Sequence, residues 1–210
     1  MFITFEGIDF CGKSTQVELL QKFFINKGRE VKVIREPGGT LISERIRDIL
    51  LDRKNSEMKM ETEFLLFSSS RAQLVREIII PALEKNIVVI SDRFHDSSTA
   101  YQGFGRGLDI SKINVINSFA ISNVIPDITF LIDISVEECL KRKALRSNIE
   151  LDRIEISSNT FYQKVREGYL KLANEEKRFV VINGTQSIEK IHKIIIERIS
   201  LIKKGLIDEN

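Results

Sequence analysis

One eight-residue stretch has the glycine, lysine and serine spacing of a phosphate-binding loop. Residues 7–14 read Gly-Ile-Asp-Phe-Cys-Gly-Lys-Ser, which fits the pattern G-x-x-x-x-G-K-[ST]. Glycine lets the backbone approach a phosphate closely, and the amide groups at the start of the following helix point at the anion. Lys13 can supply a cation to the β- and γ-phosphates, and the hydroxyl of Ser14 can ligate Mg²⁺. The stretch therefore predicts a loop that binds a nucleotide.

The elements around this loop predict an α/β fold. Five short runs rich in β-branched and aromatic residues are the strand candidates, at residues 2–6, 31–35, 87–91, 128–133 and 179–183. Longer stretches with helical spacing of apolar residues lie between them. The strands are mostly apolar rather than alternating, which is typical of a parallel sheet buried on both faces. We therefore expect a P-loop NTPase fold with a doubly wound, parallel, five-stranded sheet and helices on both faces, in a single domain over residues 1–210.

Composition and charge exclude several classes of protein. Of the 210 residues, 42% are hydrophobic and 30% are charged, which is typical of a globular protein. The net charge of +2 gives no general reason to bind nucleic acid or a membrane surface. Cys11 and Cys139 form no disulfide framework, and we identify neither a membrane span nor a signal peptide. We expect a cytoplasmic protein that binds neither nucleic acid nor membranes.

The phosphate loop alone leaves the class of nucleotide-binding protein open. A regulatory GTPase, which is a switch rather than a metabolic enzyme, needs an N-K-x-D segment to read guanine. Residues 26–29 read Asn-Lys-Gly-Arg and lack the aspartate. A switch also needs a D-x-x-G segment after a later strand, and the match from Asp9 to Gly12 lies inside the phosphate loop itself. The switch is therefore the weaker alternative.

Six segments in register resemble those of thymidylate kinases, which are nucleoside monophosphate kinases of the P-loop class. They lie at residues 5–7, 35–40, 64–71, 92–103, 126–127 and 151–153, and the likeness extends from about residue 2 to residue 196. The resemblance implies that ATP phosphorylates dTMP to dTDP with Mg²⁺, in the synthesis of dTTP, and that the protein is a homodimer. A kinase for another pyrimidine monophosphate, such as dUMP, is the alternative activity.

The resemblance also assigns a donor site. It implies that Arg142 stacks on adenine and that Mg²⁺ is held by Ser14 and Asp92. The remaining ATP-binding residues are those of the loop and its helix start: Gly7, Ile8, Asp9, Phe10, Cys11, Gly12, Lys13, Ser14 and Thr15.

A basic segment at residues 141–155 resembles the lid of the bacterial branch of this family. One branch carries a catalytic arginine in the phosphate loop, where this chain has Phe10. The bacterial branch instead carries arginines in the lid, where this chain has Arg146 and Arg153. The resemblance therefore implies a short lid whose two arginines reach the transferring phosphoryl group and, with Lys13, stabilise its charge.

The acceptor site follows from the same resemblance. Phe67 and Arg71 lie four residues apart and so share a helix face; the family implies that Phe67 stacks on thymine and that Arg71 donates to its O4. Arg93 is expected to bind the 5′-phosphate, and Asp9 the 3′-hydroxyl of the sugar, which places both in the catalytic set. The other expected substrate-binding residues are Glu36, Pro37, Arg47, Ser98, Tyr101 and Gln102.

Overall fold

A parallel five-stranded sheet forms the centre of the structure, a computed structural model that describes residues 1–145 and 151–202. The strands are β1 (Phe2–Glu6), β2 (Val31–Arg35), β3 (Val88–Asp92), β4 (Ile128–Asp133) and β5 (Phe179–Asn183), in the spatial order β2-β3-β1-β4-β5. The predicted α/β fold is thus confirmed. The third strand lies one residue later than predicted, because Asp92 pairs with both Phe5 and Arg35 and so ends the strand rather than following it.

Helices connect the strands in the way that a doubly wound fold requires. They are α1 (Lys13–Asn26), α2 (Leu41–Leu51), α3 (Met60–Leu74), α4 (Ile80–Glu84), α5 (His95–Ser98), α6 (Ile110–Ile121), α7 (Val136–Ala144), α8 (Asn159–Glu175) and α9 (Ile188–Ile202). Side-chain caps explain several starts: the hydroxyls of Thr40, Ser135 and Ser158 accept hydrogen bonds from amides in the first turns of α2, α7 and α8.

Two apolar clusters cover the sheet. Ile3 belongs to a cluster that includes Leu20 and Ile195, whereas its neighbour Phe2 belongs to one that includes Leu74 and Phe94. Successive strand residues point to opposite faces, so β1, which leads directly into the phosphate loop, is buried on both sides. Among the described residues, no helix has the length and apolar character needed to cross a membrane.

The segment that we expect to be a lid has two parts in the described chain. Its first residues, 141–144, belong to α7, so the basic run begins in a regular helix rather than after one. Residues 151–158 form turns that lead into α8. Arg146, an expected lid arginine, lies outside the described residues.

Candidate active site

The phosphate loop links the end of β1 to the start of α1 through backbone conformations that favour glycine. Gly7 has φ 139° and Gly12 has φ 101°, both in the region that side chains disfavour. A Cβ at Gly7 would also lie 2.9 Å from Cys11 Sγ, so the site has no space for one. Phe10 also has a positive φ, 60°, and packs against the larger apolar cluster. The glycine positions of the motif therefore match the local backbone geometry.

Lys13 and Ser14 begin α1 and face different partners. The buried ammonium of Lys13 donates to the carbonyl oxygens of Gly7 at 3.1 Å and Ile8 at 3.0 Å. Ser14 Oγ donates to Asp92 Oδ2 at 2.6 Å, which brings the two expected Mg²⁺ ligands together. Hard oxygen ligands of this kind, few in number, suit an ion that keeps water and phosphate oxygens as its other ligands. In the described parts of the chain, no cluster of three or more His, Cys, Asp or Glu could hold a metal alone.

A cleft of about 250 Å³ opens beside the loop and brings together half of the expected site residues, including nearly all of those expected to bind the substrate. Those that line it are Asp9, Ser14, Glu36, Pro37, Arg47, Phe67, Asp92, Arg93, Ser98, Tyr101 and Gln102. They come from the phosphate loop and the start of α1, from the carboxyl ends of β2 and β3, from α2, α3 and α5, and from the helical segment Thr99–Gly105. The fold thus brings together segments that are far apart in sequence. The cleft lies where parallel α/β sheets bind their ligands.

Arg93 occupies the loop side of this cleft and pairs with Asp9. Its Nη2 donates to Asp9 Oδ1 at 2.5 Å and to the hydroxyl of Tyr101 at 3.1 Å. Asp9 Oδ2 accepts a further hydrogen bond from the hydroxyl of Tyr162 at 2.8 Å. Burial acts to raise the pKa of Asp9, but the charges of Arg93 and Lys13 and the two tyrosine hydroxyls outweigh it and lower that pKa below 3.8. Asp9 is therefore an ionised acceptor beside a fixed cation.

Arg71 lies beneath the cleft rather than on its surface. Its side chain is 1% exposed, and Nε donates to Glu36 Oε2 at 2.8 Å. Nη1 donates to Asn117 Oδ1 at 2.9 Å, and Nη2 donates to Ser98 Oγ at 3.0 Å. Burial raises the pKa of Glu36, and the charge of Arg71 opposes that rise. Phe67, one turn earlier on α3, lines the cleft as expected for a stacking platform.

The described lid arginine, Arg153, does not line the cleft. It is buried, with Nη2 2.6 Å from Glu63 Oε2 and with Nε donating to the carbonyl of Leu50 at 2.8 Å. Its neighbours Asp152 and Glu155 do line the cleft. The turns that precede α8 therefore reach the site through Asp152 and Glu155, whereas the guanidinium of Arg153 points away from it, toward Glu63 on α3.

Arg142, expected at the adenine, lies on α7 at the outer side of the phosphate loop. Its Nη1 donates to the carbonyl of Cys11 at 3.2 Å, and its Nη2 donates to the carbonyl of Gly184 at 2.8 Å. The side chain therefore spans from the loop to the segment after β5. This position is separate from the cleft that holds Arg93.

Several residues of the site were missed from the sequence. Glu63 accepts a hydrogen bond from Gln102 and forms ion pairs with Arg106 and Arg153. The carboxylate of Glu6 is wholly buried at the end of β1. Other missed residues are Ser97, Asn117, Tyr162 and Tyr169. One signal was present: a glutamate that ends an otherwise apolar strand directly before a phosphate loop is unusual, because buried carboxylates need partners.

The fold and the cleft together define the class. A parallel sheet whose first strand runs into a phosphate loop, with an arginine paired to an aspartate on the loop side of the adjoining cleft, is the arrangement of a P-loop nucleotide kinase. The family model for thymidylate kinase matches residues 5–195. The chain therefore belongs to the thymidylate kinase family.

Similar proteins support the same family over nearly the full length. The thymidylate kinase of Thermoanaerobacter sp. (strain X514) is 51% identical over 206 residues, which cover 98% of each chain. That of Kosmotoga olearia is 49% identical over 209 residues, again covering 98% of each chain. The crystal structure of thymidylate kinase from Ehrlichia chaffeensis matches with a TM-score of 0.77 at 36% identity and covers 95% of this chain and 98% of that one.

Proposed function

We propose that the protein is an ATP:dTMP phosphotransferase that converts dTMP to dTDP in the supply of dTTP. Family membership supports this activity. The observation that carries the proposal is the convergence of the phosphate loop with Arg93, Asp9 and Phe67 on one cleft. Phosphoryl transfer requires positioning and charge neutralisation more than a nucleophilic side chain, because the acceptor phosphate itself attacks.

On the donor side, Lys13 is the cation for the β- and γ-phosphates. Its hydrogen bonds to the carbonyls of Gly7 and Ile8 place the ammonium inside the loop before ATP binds. We place Mg²⁺ at Ser14 and Asp92, where the ion would neutralise phosphate charge. The other loop residues contribute backbone contacts, and Arg142 covers the adenine.

On the acceptor side, Arg93 binds the 5′-phosphate of dTMP, and the carboxylate of Asp9 accepts a hydrogen bond from the 3′-hydroxyl of its sugar. Phe67 stacks on the thymine. Arg71 donates to O4 of the base, for which its Nη2 must turn from Ser98 Oγ toward the cleft. Pro37, Arg47, Tyr101 and Gln102 complete the walls of the cleft, with Glu36 fixing Arg71 from below.

Residues 141–155 act as a lid that excludes water, which would otherwise compete as acceptor. Arg153 must leave Glu63 to reach the transferring phosphoryl group, so its ion pair at 2.6 Å defines a resting position of the lid. Arg146 has the same proposed role.

The protein is further proposed to be a single-domain, cytoplasmic homodimer. An exposed apolar face on α3 and α6 supports the dimer: Leu65 is 50% exposed, Val115 70% and Phe119 77%. Apolar side chains of this size are typical of the centre of a homodimer interface. Sedimentation equilibrium of the wild type and of Phe119→Lys tests this assignment, with a monomeric variant expected.

An ADP-release assay across dTMP, dUMP, dCMP and purine monophosphates tests the activity. We expect ADP release that depends on the acceptor and is fastest with dTMP. Fastest release with dUMP would assign the protein to another pyrimidine kinase. Hydrolysis at the same slow rate with every acceptor would instead favour a nucleotide switch.

A further inference from the structure

Glu6 is a fully buried carboxylate to which the mechanism above gives no role. It ends β1 directly before the phosphate loop and is 0% exposed. Oε1 accepts a hydrogen bond from the amide of Phe94 at 2.7 Å. Oε2 accepts from the hydroxyls of Ser97 at 2.6 Å and Tyr169 at 2.8 Å. The carboxylate therefore acts as an acceptor toward three donors from two elements.

The same two hydroxyls contact Arg93. Nη1 of Arg93 donates to Ser97 Oγ at 3.2 Å and to Tyr169 Oη at 3.1 Å. A hydroxyl has one proton to donate and lone pairs to accept with. The two oxygens also lie 2.7 Å apart, so one hydroxyl can donate to the other while that one donates to Glu6. In either arrangement both protons are used on the Glu6 side, and lone pairs of both oxygens are left for the guanidinium. Glu6 thus determines the direction of the hydrogen bonds on one side of Arg93.

We infer that Glu6 is a positioning residue for phosphoryl transfer, which acts through the hydroxyls of Ser97 and Tyr169 to hold the Arg93 guanidinium toward the acceptor phosphate. The inference rests on the proposed function. A glutamine at this position has the same shape but only one oxygen and an amide donor. It cannot accept from Phe94 and from both hydroxyls. With its oxygen toward Phe94, its amide group donates to the hydroxyls, which lose their acceptor and become free to direct a proton toward Arg93.

The charges around Glu6 argue against a purely stabilising role. Burial and then the neighbouring carboxylate of Asp96 raise the pKa of Glu6 to about 7, against its hydrogen bonds and the charge of Arg93. Arg178, paired with Asp96, is the other cation on this side. A carboxyl whose pKa is higher folded than unfolded destabilises the fold as pH rises from about 4.5 to about 7. The ionised carboxylate of Glu6, which accepts the hydrogen bonds that orient the partners of Arg93, therefore lowers the free energy of unfolding.

A double-mutant cycle tests the inference. We expect Glu6→Gln to lower kcat/KM for dTMP by about 10- to 100-fold with KM for ATP unchanged, since it disturbs hydrogen bonds to a charged group. In an Arg93→Lys background, the same change is expected to cost less than about 3-fold, because the two residues act as one unit. Equal losses in both backgrounds would overturn the inference. A wild type that does not phosphorylate dTMP would instead overturn the proposed function.

A control on the same strand and face separates positioning from packing. Thr4→Val removes a buried hydrogen bond, between Thr4 and Thr129 at 2.8 Å, that does not involve Arg93. We expect its kcat/KM for dTMP to equal that of the wild type. If Glu6→Gln does not fold, Tyr169→Phe and Ser97→Ala test the same contacts from the other side. Wild-type kcat/KM for dTMP in both of these variants would also overturn the inference.

The pH dependence of thermal unfolding gives a second readout. Between pH 5 and 8, we expect the midpoint to fall more for the wild type than for Glu6→Gln, because only the wild type has a carboxyl at position 6 with a pKa that folding raises. The expected result is thus a variant that is relatively more stable at pH 8 yet less active. A variant that loses activity only in proportion to lost folded protein would overturn the inference.

Discussion

The donor and acceptor sides of the cleft are constructed differently. The proposed donor side is built mainly on one contiguous segment, the phosphate loop at residues 7–14, whose glycines adopt positive φ and whose one lysine donates to carbonyls of its own loop. The acceptor side collects side chains from several elements. Its arginines are held by carboxylates that are distant in the chain: Arg71 by Glu36 and Arg93 by Asp9. The donor side therefore depends mainly on the backbone conformation of one loop, whereas the acceptor side depends on ion pairs between distant segments.

This difference determines how each side responds to substitution. A backbone loop keeps its shape when a side chain is removed, so the lost contact affects mainly the reaction. Removing one partner of a buried ion pair leaves the other charge without compensation. We therefore expect donor-side variants to lose kcat while remaining folded, and variants of the ion-paired arginines on the acceptor side to affect substrate use and stability together.

The variant with the largest expected effect, Arg153→Ala, tests whether the lid acts on the transferring phosphoryl group rather than on binding of dTMP. Arg153→Ala is expected to lower kcat by about 10³-fold, as for an arginine that acts on transition-state charge, and to change dTMP affinity far less. Steady-state kinetics and calorimetric titration with dTMP check both values. A collapse of dTMP affinity with unchanged kcat would place Arg153 on the acceptor side. Arg166→Ala is the control, because Arg166 pairs with Asp133 and does not line the cleft.

Lys13→Ala tests the donor loop itself. We expect kcat to fall at least about 10²-fold, as for the loss of one preorganised charge donor, with an unchanged circular dichroism spectrum. Lys22→Ala, at an exposed position on the same helix, is the matched control and should retain wild-type turnover. Near-normal turnover in Lys13→Ala would contradict the assignment of the loop.

The same contrast explains how far the sequence could predict this protein. Apolar runs and a contiguous motif are local signals, so the strands and the phosphate loop could be predicted. The end of β3 could not, because Asp92 joins the strand only through its pairing with neighbours. The partners of the arginines were also missed. Arg71 contacts Asn117, 46 residues away, only because α3 packs on α6, and Arg153 contacts Glu63, which is farther away still in the sequence.

Arg71→Ala tests the acceptor side through both selectivity and stability. Arg71 carries donors that suit O4 of thymine but not the amino group of cytosine. An unpaired buried donor costs about 1–3 kcal/mol, so its loss should narrow the dTMP/dCMP ratio of kcat/KM by roughly 5- to 150-fold. The variant also leaves Glu36 buried without its partner, which should lower the free energy of unfolding by about 3–5 kcal/mol.

A conservative variant keeps this prediction testable if Arg71→Ala does not fold. Arg71→Lys retains the charge near Glu36 but loses the planar fork of donors. Its free energy of unfolding should be higher than that of Arg71→Ala, and its dTMP/dCMP ratio of kcat/KM should still be smaller than that of the wild type. An unchanged dTMP/dCMP ratio in either folded variant would mean that Arg71 does not read the base.

Phe67→Ala tests the uncharged part of the acceptor side. Stacking is worth about 1–3 kcal/mol per base and tolerates any base, so kcat/KM should fall for dTMP and dCMP together. Because Phe67 lines the cleft without a buried charge partner, the unfolding free energy should change less than in Arg71→Ala. A change in the dTMP/dCMP ratio as large as that of Arg71→Ala would show that stacking and base reading are not separate functions.

The smallest expected effect concerns the methyl group of thymine. Burying one additional carbon contributes about 0.8 kcal/mol, so kcat/KM for dUMP should lie only about 4-fold below that for dTMP. KM for ATP should be the same with either acceptor, since the proposed base contacts, Phe67 and Arg71, lie on α3 and not in the phosphate loop. Kinetics of the wild type with both nucleotides over a range of ATP concentrations measure these values. A preference above about 100-fold exceeds what burial of a methyl group supplies. It would show that the acceptor side selects thymine through a conformational step, such as release of Arg153 from Glu63, and that the two sides of the cleft are coupled through the lid.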